Sequence, residues 1–306
     1  MATLSGITLY PIKSCAGIAL RAATLTRTGL TIGATSVSTT RSISDREWMV
    51  VDAAGHFLSQ REYPRMALIV PRLHAPGAQT LAAGRSIETM PADARLMVSA
   101  PGMPMLEIEL ASPAPLAAPL MVQIWDDCVP ARDCGAAAAA WFSAAIGTAC
   151  RLVRASTLRA ASEKWTGGVV ASTRFADGYP VLVIASASLI DLNEKLVVAG
   201  RAALTMDRFR PNLVFDAMAA FDEDVAESFG LGQMLLTPVK PCPRCTIPSV
   251  DQATGQVGPD PQDVLRSYRT KPELDGAICF GMNCIVTQGE VQQIEVGQHV
   301  GVALAF

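Results

Sequence analysis

Apolar residues in this chain come in short runs, broken by Gly, Pro, Ser and Asp, and seldom keep a helical spacing for long. That pattern predicts strands and turns more often than helices. Residues 7–12 read as a first strand, interrupted by Pro11. Residues 48–51 read as a strand, Asp52–Gly55 as its turn, and 57–61 as the returning arm of a hairpin. A buried strand is expected over 66–70, and further short strands over 79–83, 95–99, 104–110 and 119–125. Many short strands at even spacing point to a barrel or a sandwich.

The second half mixes in helices. Asp133 is placed to cap an Ala-rich helix over 134–146 that ends near Gly147. A strand follows at 151–153, then a polar connecting segment over 158–176. Asp177-Gly178-Tyr179-Pro180 leads into a wholly apolar strand at 181–185. Ser188 and Asp191 fit a capping box for a helix over 189–196. Strands are expected at 213–215 and 233–237, and Asp260-Pro261 starts a helix to about residue 269. Residues 277–286 and 291–296 read as a hairpin around Gln288-Gly289, with a final strand over 299–305. The fold class is therefore mostly β with helices (α+β). The division expected is 1–128, a linking helix over 129–149, and 150–305.

Composition narrows the classes. The 306 residues are 50% hydrophobic and 17% charged, which describes a globular chain with enough length for two cores. A net charge of −3 argues against a general nucleic-acid surface, so basic residues that do cluster point to a local anion site. No apolar run is long enough for a membrane span, and the first ten residues lack the basic start of a secretory signal. With eight cysteines in so long a chain, free or metal-bound thiols in a reducing, cytoplasmic setting are expected rather than a disulfide framework.

The chemistry concentrates in Pro238–Asp251, PVKPCPRCTIPSVD. Its three internal prolines, Pro241, Pro243 and Pro248, predict a stiff loop at a strand end. Cys242 and Cys245 lie in it with Arg244 between them. The pair has four readings. It can be half of a zinc site completed by Cys279 and Cys284. It can be a redox dithiol, though Pro248 and the β-branched Thr246, Ile247 and Val250 oppose the helix such a motif needs. It can be two inert buried thiols, or one thiolate ligand to a soft transition metal with Arg244 serving anion (cofactor) binding or charge balance. Spacing does not choose among them. Lys13 and Ser14 at a strand end suit a phosphate, or an ordinary turn. Arg208-Phe209-Arg210-Pro211-Asn212 suits an anion, or a salt-bridged loop. His56, His74 and His299 read as structural or solvated.

Taken together, YPIKSCAGI, DREWMVVDAAGHFLSQREYPRMALI, FRPNLVF and KPCPRCTIPSVDQATG resemble the MOSC family. The resemblance is to the branch in which a MOSC N-terminal β-barrel domain precedes the MOSC domain, and which includes amidoxime-reducing proteins. It implies a molybdenum cofactor (Mo-molybdopterin) in a cleft between the two barrels, with Cys245 as the protein ligand to the metal. It further implies pterin and phosphate contacts from Lys13, Ser14 and Arg46 on one side and from Arg210 and Asn212 on the other, with Asp177 close to the metal. Two departures stand out: a Ser/Thr-rich insertion over 31–44 ahead of Arg46, and Gly178-Tyr179 where small hydroxyl residues are usual.

The activity implied is reduction of small N-hydroxylated compounds such as amidoximes, hydroxylamines and N-hydroxylated bases. Cys245 and Asp177 are the candidate catalytic residues, Asp177 as proton donor or substrate positioner. Electrons are expected from a separate flavin, haem or iron–sulfur protein. Two alternatives remain: a sulfur carrier using a Cys245 persulfide, and a structural zinc protein.

Overall fold

The structure is a computed structural model, and it describes residues 1–33, 42–74, 93–110 and 119–305. The largest sheet has nine strands. Its spine runs Ile18–Leu20, Thr3–Leu9, Leu213–Asp216, Val181–Ala185, Ala277–Gln288, Met234–Pro243, Ala226–Leu231 and Gly301–Leu304, with Thr270–Lys271 paired to Ala277–Gln288 off that path. Among the described residues, two four-stranded sheets, a three-stranded sheet and a two-stranded sheet accompany it. The chain is mostly β with few helices, as its pattern predicts.

Val181–Ala185 is buried at every position, which is why it reads as an unbroken apolar run. It pairs parallel with Leu213–Asp216, the helix Ser186–Val198 making the crossover, and antiparallel with Ala277–Gln288. Leu192 and Leu196 of that helix pack on Ile184, Phe209 and Phe280. Thr3–Leu9 lies antiparallel to Leu213–Asp216, and the Thr8 amide donates to the Asn212 carbonyl at 2.8 Å. This pairing sets the turn after Leu9 beside the turn before Leu213, so Lys13-Ser14 and Arg210-Asn212 meet although about two hundred residues separate them.

Several local expectations are corrected. The strand before the cysteines does not stop at Thr237 but runs from Met234 to Pro243, and two of its three register shifts against Ala277–Gln288, at Pro238/Lys240 and Pro241/Pro243, absorb its prolines. Residues 277–296 do not form a hairpin: Val291–Glu295 pairs with Ala22–Thr26, aided by the Arg27–Glu290 ion pair at 2.7 Å. Residues 57–61 make a single bridge to Val51 rather than a strand, and Pro64–Leu68 is a 3-10 turn. The expected helix over 260–269 shortens to Gln262–Leu265. Ser188 forms no capping box, because its hydroxyl bonds Glu223 at 2.7 Å inside the longer helix Ser186–Val198. The Ala-rich helix is Ala136–Ile146, with Gly135 at its cap and Gly147 in the left-handed region after it. The strand expected over 79–83 lies outside the described residues.

Candidate functional site

A cleft of about 570 Å³ is lined by Lys13, Ser14 and Arg46 from the first half of the chain and by Asp177, Arg210, Asn212, Arg244 and Cys245 from the second. The residues singled out from the sequence thus share one cavity. The Ser/Thr-rich segment ahead of Arg46 does not displace it: Gly29–Ile32 pairs with Ile43–Ser44, and residues 34–41 lie outside the described residues.

The cationic end of the cleft is built on strained backbone. Ser14, Arg46 and Arg210 have φ of 64°, 47° and 56°, a region that costs non-glycine residues energy and recurs at ligand sites. The guanidiniums of Arg46 and Arg210 both lie 4.3 Å from the centre of the Tyr10 ring. Gly17 lies against that ring, since a Cβ there would come within 2.7 Å of Tyr10 Cε1. Arg210 is 8% exposed, and neither terminal nitrogen has a hydrogen-bond partner among the described residues. Burial lowers its pKa, with Arg46 adding like-charge repulsion. The Tyr179 hydroxyl, on a residue packed with Ala161, Ala171 and Ile285, is also buried without a partner among the described residues. Buried donors of this kind suit an anion of phosphate size.

Asp45 and Asn212 hold this end together. Asp45 accepts from the Tyr10 amide at 2.9 Å, from Asn212 Nδ2 at 3.0 Å and from Arg46 Nη1 at 2.5 Å. Asn212 Oδ1 accepts from the Leu182 amide at 3.1 Å, and its Nδ2 also reaches the Thr8 carbonyl at 3.2 Å. The Asn212 amide thus ties three segments of the cleft wall to one another.

Asp177 also lines the cleft, and its side chain is 73% exposed. Lys13 Nζ donates to its Oδ1 at 2.5 Å and to the Phe175 carbonyl at 3.0 Å, and Trp125 Nε1 donates to the same Oδ1 at 3.1 Å. The protein atoms around the carboxyl favour the neutral acid, but only weakly for a side chain this exposed. The Lys13 charge and hydrogen bond outweigh them and hold the carboxyl well below the usual carboxylate range. Burial in turn lowers the pKa of Lys13, with Asp177 opposing it.

The cysteine stretch is anchored by its arginines. Arg244 donates through Nε and Nη2 to the Phe280 carbonyl at 2.9 and 2.6 Å and through Nη1 to the Phe209 carbonyl at 2.8 Å. Its donors therefore hold the loop against the sheet. Arg208 grips the following turn through Asp251 at 2.6 Å. Cys245 is half-buried in the cleft wall. Burial pushes the Cys242 thiol up. The zinc reading is overturned: no group of three or more His, Cys, Asp or Glu among the described residues is placed to hold a metal. Cys279 and Cys284 are instead buried in the sheet, their thiols pushed up by desolvation. The histidines do not line the cleft. Sequence reasoning missed Tyr10, Asp45 and Trp125; Tyr10 directly precedes the PIKS run, but nothing local shows that two arginines would stack on it.

Residues 1–149 match the MOSC N-terminal beta barrel domain and residues 171–301 the MOSC domain. The chain is 31% identical over 283 residues to Mitochondrial amidoxime reducing component 2 of Rattus norvegicus, spanning 87% of this chain and 72% of that protein. Against the protein of that name from Homo sapiens the identity is 31% over 274 residues, with the same coverage of 87% and 72%. Molybdenum cofactor sulfurase of Homo sapiens is 27% identical over 267 residues, spanning 83% of this chain and 27% of that protein. Among the described residues no helix is long and apolar enough to cross a membrane.

Proposed function

The chain belongs to the MOSC family, and from that premise we propose that it is a molybdenum-cofactor-dependent oxidoreductase acting on small N-hydroxylated compounds. The observation that carries the reading is the pairing, in one cleft, of a half-buried Cys245 thiol with the unpartnered nitrogens of buried Arg210. Arg210 and Arg46 would hold the anionic tail of the cofactor, Lys13 and Ser14 its pterin side, and Cys245 its metal. When bound, the cofactor supplies a two-electron redox centre next to the Cys245 sulfur. Asn212 and Arg244 act by position, the first fixing Asp45 and Arg46, the second fixing the cysteine stretch.

The overall change is R–NHOH plus two electrons and two protons giving R–NH2 and water. A separate electron-donor protein supplies the electrons. Asp177, held ionised beside Lys13, accepts hydrogen bonds from the N–H or O–H of the substrate and orients it. Lys13 carries the transferable proton at this end of the cleft, because its pKa is lowered and its ammonium already faces Asp177.

Protein made in a host that produces the cofactor should hold molybdenum and pterin in equal amounts and reduce benzamidoxime with an artificial donor. Cys245→Ala should retain the fold and lose the metal; full molybdenum occupancy in that variant sinks the ligand assignment. The likeness to sulfurases motivates a second reading, sulfur carriage on Cys245. It wins if intact-mass analysis finds one extra sulfur on Cys245 and no molybdenum.

A further inference from the structure

Trp125 sits where the fold gains least from a tryptophan. Leu120–Ile124 and Asp127–Asp133 pair so that Ile124 faces Asp127, leaving Trp125-Asp126 as a two-residue hairpin loop. The first loop position has φ of 56°, a conformation that such loops reserve for Gly, Asn or Asp. A bulky ring held there costs on the order of 1 kcal/mol or more in backbone strain. Burial does not offset that cost well, because the residue stays 41% exposed.

The exposed ring faces the cleft, and its surroundings are ordered. Trp125 Nε1 donates to Asp177 Oδ1 at 3.1 Å. Phe57 meets the indole edge-on, with centroids 5.1 Å apart. The Arg61 guanidinium lies 4.7 Å from the indole centroid and 5.7 Å from that of Phe57, and Arg61 Nε is fixed by Ser59 Oγ at 3.2 Å. Trp125, Phe57 and Arg61 all line the same cavity as Cys245. They form a wall of two rings and a planar cation whose rotamers are set before any ligand arrives.

We propose that Trp125 is the specificity-determining residue of this cleft, selecting N-hydroxylated substrates that carry a planar aromatic group. The substrate ring stacks on the indole, while the adjacent Asp177 carboxylate takes the N–H or O–H of the N-hydroxy group. The bond from Nε1 to Oδ1 fixes the distance between the two contacts, so ring recognition and orientation act together. This inference rests on the reading that substrates occupy this cleft.

The test compares benzamidoxime with acetamidoxime, which shares the N-hydroxyamidine and lacks the ring. The proteins are wild type, Trp125→Phe, Trp125→Leu and Trp125→Gly, each produced with cofactor. Calorimetric binding and steady-state kinetics are the two readouts. Trp125→Leu should weaken benzamidoxime binding and raise its KM about ten-fold, as loss of one stacking contact does, and leave acetamidoxime within about two-fold. Trp125→Phe should restore most of the difference. Trp125→Gly, which relieves the strained turn, should keep or raise the thermal midpoint while losing ring selectivity, separating recognition from folding. Equal loss for both compounds, no loss for either, or no binding of benzamidoxime to wild type overturns the proposal. A wild-type protein that binds benzamidoxime selectively through Trp125 but reduces neither compound supports the wall and sinks the proposed function instead.

Discussion

Arg46 donates through Nη2 to the main-chain oxygen of Arg210 at 3.4 Å, and both side chains stack on Tyr10. Two guanidiniums are thereby held together in a buried site, where Asp45 pairs with Arg46 at 2.5 Å and the terminal nitrogens of Arg210 have no hydrogen-bond partner among the described residues. Like charges in such surroundings oppose folding unless an anion joins them. On the proposed reading, this arrangement serves the bound anion at some expense to the protein without it.

Replacing Arg210 by Met tests that trade. The apolar side chain keeps volume and removes a buried charge whose terminal nitrogens lack partners among the described residues. The cofactor-free variant should melt at or above the wild-type temperature, whereas the cofactor content of protein from a producing host should fall at least ten-fold. A midpoint several degrees lower, with cofactor content intact, would make Arg210 a structural cation.

Glu223 predicts a pH-dependent stability remote from the cleft. It is fully buried, accepts from the Ala185 amide at 3.2 Å and shares the Ser188 hydroxyl, which itself accepts from the Phe221 amide at 2.8 Å. Burial raises its pKa to about 7. The folded state therefore holds a proton that the unfolded chain releases near pH 4.5. Stability is full below that value and falls as pH rises through about 7, by about 3 kcal/mol in all. Urea unfolding at pH 5 to 8 should show this decline, and Glu223→Gln should remove it and be the more stable protein at pH 8. A wild-type profile that is flat or rises with pH over this range refutes it.

Much of this molecule was legible in the sequence, and what was not has physical reasons. Val181–Ala185 and Ala136–Ile146 follow from local patterning, because a wholly buried strand must be apolar and an Ala run ended by Gly favours a helix. The partner of Val291–Glu295 was hidden, because its pairing with Ala22–Thr26 is set by contacts about 270 residues apart rather than by the turn at Gln288-Gly289. The strand through Pro238, Pro241 and Pro243 was hidden because bulges, which have no composition of their own, accommodate the missing donors. At the site, the ionic and thiol groups were visible as residue types. Tyr10 and Trp125 were not, since stacking geometry leaves no mark on spacing.

Gly281 links the sheet to the cysteine stretch. Its φ is +78°, and a Cβ there would lie 2.5 Å from Ile184 Cγ1 and 2.9 Å from the Val183 carbonyl. Its neighbour Phe280 supplies the carbonyl that anchors Arg244. Gly281→Ala should cost about 2 kcal/mol or more, from strain and overlap together. It should also lower metal retention in parallel with Arg244→Ala. Denaturant titration and metal analysis on both variants check this; a neutral Gly281→Ala would show that the kink has room to relax.

Lys13 decides the charge of Asp177, and removing it should move the acid limb of activity. With Lys13 present, its charge and hydrogen bond hold the carboxyl well below the ordinary range, so substrate orientation by the anion survives to low pH. In Lys13→Met that charge and hydrogen bond are gone, while Arg46 and the Trp125 hydrogen bond still favour the anion. The carboxyl then takes a proton at higher pH, and kcat/KM should begin to fall at a pH at least one unit above the wild-type limb, since tenfold in proton affinity is one unit. Compared at equal molybdenum content, since Lys13 is also assigned to the pterin side, maximal kcat should fall as well, because the variant lacks the ammonium assigned as proton source. Asp177→Asn separates the two roles: it should raise KM and abolish the acid limb while Lys13 remains available as the acid. If Lys13→Met leaves the limb in place and lowers only kcat, Asp177 is not the group that the limb reports, and its role as substrate positioner falls with it.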